Sequence, residues 1–169
     1  MCVTIIPCPS PLAQLHGGGH EKGFRSGTLN VPGIVGFGKA AQLRIQEMTE
    51  EGNRLVKLRD DLESALLELP GVSRNGSPRH RLAHVSNLSF SGVEGEELLL
   101  KVNQRVAVSS GSACTSISPK PSHVLQAMGI PSDLGRASLR FSLGKDTNSE
   151  SVEHAVSWIK SVVENLRNS

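Results

Sequence analysis

The 169-residue chain is 37% hydrophobic, 20% charged and 3% aromatic, with a formal net charge of +2. That length suffices for one sizeable core, and interspersed charges with so few aromatic rings offer no basic, stacking surface for a nucleic acid. No apolar run reaches the roughly 18 to 20 residues of a membrane span, the start lacks the basic and apolar regions of a signal peptide, and three cysteines in neither zinc nor disulfide spacing fit a reducing, cytoplasmic compartment.

Residues 1–15 carry Pro7, Pro9 and Pro11 and are expected to form an irregular lead-in. Residues 16–31 follow as a glycine-rich loop, "HGGGHEKGFRSGT", where several positions can take positive φ or approach a ligand closely. Asn30 then offers a helix cap, and apolar residues recur at helical spacing. They are Ile34, Val35, Phe37, Ala41, Leu43, Ile45 and Met48, continued by Leu55, Leu58, Leu62, Leu66 and Leu69. Pro70-Gly71 stops the run, which predicts one long helix over Pro32 to Glu68 with a continuous apolar stripe.

"HVSNLSF" alternates Val85, Asn87 and Ser89 against Ser86, Leu88 and Phe90 and reads as a strand. "EGEELLLKVNQ" reads as a helix, "RVAVSS" as a second strand, the segment from His123 to Met128 as a short helix and "ASLRFSL" as a third strand. "NSESVEHAVSWIKSVVENL" closes as a helix capped at Asn148 or Ser149, with a stripe of Val152, Val156, Ile159, Val163 and Leu166. Residues 32–169 are thus expected to form one small α/β domain, a mostly antiparallel sheet under two long helices.

Several short stretches invite chemistry. "GIVGFGKA" has the glycine and lysine spacing of a phosphate loop, but Ala40 stands where a hydroxyl should hold magnesium and the glycines fall inside the helical stripe, so helix packing is favoured. His16 and His20 bracket Gly17-Gly18-Gly19, which forbids the helical face a histidine pair needs, and no metal site is expected. "RSGT" offers Arg25, two hydroxyls and backbone N–H groups, suited either to a phosphate or to capping the helix that follows. Arg140, between Leu139 and Phe141, reads as a solvated sheet-face residue or as a bidentate clamp on a carboxylate. "SSGSACTS" surrounds Cys114 with small residues, leaving either an incidental thiol on a turn or a thiol open to visitors.

Taken in order and spacing, "HGGGHEKGFRSGTLNVPGIVGFGKAA", "SSGSACTS" and "SLRFSLG" resemble the C-terminal half of cysteine desulfurases of the NifS/IscS type, from Leu15 to Leu166. The resemblance implies the C-terminal small domain of an aminotransferase-like, fold type I enzyme dependent on pyridoxal 5'-phosphate. It implies a homodimer that takes sulfur from L-cysteine, releases L-alanine and hands a persulfide to an iron–sulfur scaffold or other sulfur acceptor. Cys114, in a cysteine loop over residues 109–118, matches the nucleophile. Thr28 matches the residue that reaches the cofactor phosphate of the neighbouring subunit, and Arg140 the one that holds the substrate carboxylate.

The family's large domain, with the lysine that attaches the cofactor, has no counterpart in the sequence; Lys22 sits in the glycine loop, where the family has a basic residue of another role. The chain is therefore expected to be catalytic only with that domain supplied. The alternative is a non-catalytic remnant or a sulfur-relay and dimerisation module using Cys114 alone.

Overall fold

In the computed structural model, which describes residues 12–110 and 122–168, Asn30 caps the first helix as its sequence suggests: its side-chain oxygen accepts from the Gly33 N–H at 3.1 Å. Helix α1 runs over Val31–Leu67, and Gly71, at φ +70°, turns the chain out of it. The chain divides into two units, Met1–Gln46 and Glu47–Ser169, so that α1 begins in one and ends in the other.

The first unit is dominated by its loop. A bridge between Leu15 and Arg25 closes the glycine-rich segment on itself, and the Ser26 N–H donates to the Leu15 carbonyl at 3.2 Å. Inside that closure a single 3-10 turn, Glu21–Gly23, holds Glu21 and Lys22 at φ 53° and 56°, a left-handed conformation that costs residues with a Cβ.

The second unit holds a four-stranded sheet of β1 (Val72–Arg74), β2 (Val85–Phe90), β3 (Ser109–Ser110) and β4 (Ser138–Ser142), in the order β1-β2-β4-β3 and antiparallel throughout. The remaining helices are α2 (Gly95–Val102), α3 (His123–Ala127), α4 (Ser132–Arg136) and α5 (Ser149–Arg167). Asn148 caps α5 in a reciprocal box: its side chain accepts from the Ser151 N–H at 2.8 Å, and Ser151 Oγ accepts from the Asn148 N–H at 3.0 Å.

Period-two alternation sorts the strands. Leu88, Phe90, Leu139 and Phe141 enter one core with Leu58, Leu62 and Leu66 of α1, Leu98 and Val102 of α2, and Ile159 and Val163 of α5. Each such side chain contributes about 1.5–3 kcal/mol on leaving water. A buried ionic knot reinforces this face. Arg81, Arg74 and the Ser86 hydroxyl all donate to the Glu63 carboxylate, while the Arg59 guanidinium donates to the Leu82 carbonyl at 2.8 Å. Burial pushes the Glu63 carboxyl up, but hydrogen bonds from Arg81, Ser86 and Arg74 outweigh it and hold the group at about 2.

Two expectations need correction. The apolar stripe does not continue buried along the whole of α1: Phe37 and Ile45 are 79% and 74% exposed while Leu66 is fully buried, because among the described residues the hydrophobic core takes in α1 from Leu55 onward. "RVAVSS" is a strand only at Ser109–Ser110. The Arg105 and Val106 N–H groups donate to the Val102 carbonyl at the end of α2 and the Val108 N–H to Asn103 Oδ1, so these donors are spent before a ladder can use them. Finally, β1 and α4 were not legible, being only a few residues long.

Candidate active site

The outward face of the sheet is polar. Register places Asn87 of β2 opposite Arg140 of β4, and Arg140 opposite Ser109 of β3, so the three side chains stand in one row across three strands. Arg140 is exposed, and its Nη2 donates to Ser109 Oγ at 3.3 Å. Asn75, just past β1, extends the row: its backbone N–H donates to the Asn87 carbonyl at 2.9 Å. Its side-chain Nδ2 lies 2.7 Å from Asn87 Oδ1 and 2.8 Å from Ser89 Oγ. Ser89 and Ser138, the next pair along the same face, are fully buried, with their hydroxyls 2.8 Å apart. A guanidinium held on a rigid strand among amides and hydroxyls, with its fork toward solvent, can take a carboxylate in bidentate fashion.

Sequence reasoning singled out Arg140 but not Asn75 or Asn87. The alternation of "VSNLSF" already put Asn87 on the face away from Leu88 and Phe90; what it lacked was the register that sets Asn87 against Arg140.

In the glycine-rich loop, Arg25 Nη1 donates to the carbonyls of Gly27 and Thr28 at 3.1 and 3.0 Å, which fixes the curvature of the segment around Gly27, at φ +98°. Thr28 is exposed. Its hydroxyl and the N–H groups of Gly27 and Thr28 make no hydrogen bond among the described residues, so this end of the loop presents donors that would fit the phosphate of pyridoxal phosphate. His16 and His20 are exposed on this loop, with Gly17 and Gly19 between them at positive φ, and no group of three metal-ligating side chains forms among the described residues. "GIVGFGKA" lies wholly within α1, and its residues are exposed, with nothing among the described residues packed against Gly36 or Gly38. Cys114 lies outside the described residues; the strand that leads to it, Ser109–Ser110, is the one that flanks Arg140.

The model of the Aminotransferase class-V family matches residues 6–154. The chain belongs to this family. It is similar to the cysteine desulfurase IscS of Anaeromyxobacter sp. (strain Fw109-5), 53% identical over 157 residues that make up 92% of this chain and 39% of that protein. The cysteine desulfurase IscS of Methylobacillus flagellatus is 48% identical over 155 residues, again 92% of this chain and 38% of the relative. Among solved structures, a NifS-like protein superposes with a TM-score of 0.79 at 32% identity, covering 91% of this chain and 39% of the other. The class-V chain described here thus spans about two-fifths of the length of the relatives it matches. Its long helix and small antiparallel sheet are the small-domain part of the aminotransferase-like fold, as the sequence implies.

Proposed function

We propose that this chain supplies the small-domain part of a pyridoxal-phosphate-dependent, cytoplasmic, homodimeric cysteine desulfurase. In it Cys114 and L-cysteine become a Cys114 persulfide and L-alanine, and the sulfur passes to an iron–sulfur scaffold or other acceptor. The observation that carries the reading is the placement of Arg140. It stands exposed on a polar sheet face, and β3 beside it leads through three intervening residues to Cys114, a tether of at most about 14 Å from Ser110.

Arg140 holds the substrate carboxylate and so fixes the substrate's orientation. Residues 16–31 form the cofactor and dimer loop, where the Thr28 hydroxyl and neighbouring N–H groups receive the phosphate across the subunit boundary. The cofactor, when bound, supplies the electron sink that labilises the substrate's bonds. The Cys114 thiolate attacks the substrate sulfur; an S–S bond forms as the C–S bond breaks, the bonding pair stays on carbon, and protonation of that carbon completes L-alanine. Small residues around Cys114 let the thiol visit the substrate and then face an acceptor.

The test joins this chain with the large domain of the Anaeromyxobacter relative. Supplied with L-cysteine and a thiol reductant, the complex is expected to release sulfide and alanine in equal amounts and to carry persulfide on Cys114. Cys114→Ser should abolish both while leaving cofactor absorbance intact, and Thr28→Ala should weaken cofactor retention. Parental turnover by Cys114→Ser would overturn the assignment.

A further inference from the structure

The buried hydroxyls of Ser89 and Ser138, beside Asn87 and Arg140 on the same sheet face, fix more than packing, because their protons can be assigned one after another. Ser138 Oγ lies 2.7 Å from the Leu134 carbonyl, which can only accept, so the single Ser138 hydroxyl proton is committed there. In the 2.8 Å contact between Ser138 and Ser89 the proton must therefore come from Ser89. With that proton spent, Ser89 Oγ can only accept from the Asn75 side chain 2.8 Å away, so the atom facing it is the NH2 of Asn75. The same NH2 stands 3.3 Å from Ser138 Oγ on β4 and 2.7 Å from the Asn87 side chain; a second NH2 at the shorter distance would repel it, so the Asn87 atom there is Oδ1.

Asn87 has no freedom left. With Oδ1 given to Asn75, its own NH2 is turned away from that amide, and register puts Arg140 directly across from Asn87 on β4. That NH2 makes no hydrogen bond among the described residues, and Asn87 is only half-buried. Two donor groups, one of them charged, then stand side by side on an open sheet face with no acceptor between them among the described residues. A carboxylate completes such a pair.

We propose that Asn87 is a second carboxylate-binding residue, its NH2 sharing with the Arg140 guanidinium the carboxylate of the amino-acid substrate; this rests on reading Arg140 as the carboxylate grip. Asn75, Ser89 and Ser138 are positioning residues that aim it, through a proton order anchored at the Leu134 carbonyl.

The experiment titrates the ¹⁵N-labelled full chain with sodium acetate against sodium chloride at matched ionic strength. It follows the Asn87 side-chain NH2 pair and the Arg140 guanidinium protons. Both are expected to shift with acetate and not with chloride, at one midpoint, and Asn87→Ala should raise the midpoint seen at Arg140 about ten-fold or more, the loss of a hydrogen bond to a charged group. Asn75→Ala, which frees the Asn87 amide to turn over, should raise it less. If Arg140 responds while the Asn87 protons stay still and the Asn87→Ala midpoint is unchanged, the role of Asn87 is refuted and the reading of Arg140 stands. If neither group distinguishes acetate from chloride, the reading of Arg140 falls and Asn87 with it. The unsubstituted chain decides between these outcomes even where a variant misfolds.

Discussion

Ser86 on β2 donates its hydroxyl proton to the carboxylate of Glu63 on α1, and both residues are buried. A lone carboxylate in that place would be driven neutral; here the arginines on either side keep it charged and make it the point at which the helix grips the core face of the sheet.

Replacing Glu63 with Ala should therefore cost about 3 kcal/mol, because Arg81 and Arg74 lose the charge that compensates their partial burial. Urea unfolding followed by circular dichroism measures it; a loss below about 1 kcal/mol would show that water solvates the knot.

The same carboxylate should give the fold an acid-sensitive step. Its ordinary value is 4.5 and the folded value about 2, so its contribution is fully present above 4.5 and is lost as pH falls through that interval toward 2. Midpoints of urea unfolding collected across this range should fall more steeply for the parent than for Glu63→Gln, which cannot titrate.

Gly95 opens α2 against the backbone of Arg136. A Cβ there would stand 2.6 Å from the Arg136 carbonyl carbon and closer still to its oxygen, and backbone cannot swing aside as a side chain can. Gly95→Ala should destabilise by about 3 kcal/mol, the upper range for overpacking, whereas Gly38→Ala, with nothing nearby, should not destabilise. Thermal melts of the two variants side by side make the comparison.

Arg105 lies over the ring of Trp158, 4.4 Å from its centroid, and the indole N–H donates to the Val102 carbonyl at 3.2 Å. Because Trp158 is the single tryptophan in the chain, its emission reports the surroundings of this one ring. Arg105→Ala should shift that emission to longer wavelength and cost about 0.5–1 kcal/mol; an unchanged spectrum would count against the stacking.

The two ends of α1 should respond oppositely to substitution. Leu62→Ala, in the core, is expected to cost about 2–5 kcal/mol, while Phe37→Ser should change stability by no more than about 0.5 kcal/mol. Equal losses at both positions would mean that Phe37 is covered in solution.

The sequence by itself determined what depends on near neighbours along the chain. Asn30 and Asn148 cap their helices because a cap needs only the next turn, and Pro70-Gly71 ends α1 because local dihedrals suffice. Alternation in "VSNLSF" and "ASLRFSL" separated Leu88, Phe90, Leu139 and Phe141 from Asn87 and Arg140 for the same reason, since a strand turns its side chains over with a fixed period. The motifs around Thr28, Cys114 and Arg140 were equally visible, being contiguous.

Only the tertiary structure decided where long-range partners intervene. Helical spacing in Ile34, Phe37 and Ile45 is no different from that in Leu55, Leu62 and Leu66, yet the first group stays in water, because burial depends on what the rest of the chain brings to that face. Val106 and Val108 have strand-forming side chains, but the end of α2 and Asn103 claim their N–H groups first. The row Asn75-Asn87-Arg140-Ser109 joins residues that no local pattern connects. It exists because strand register, set by cross-strand hydrogen bonds over as many as 65 positions of chain between Asn75 and Arg140, aligns their side chains on one face.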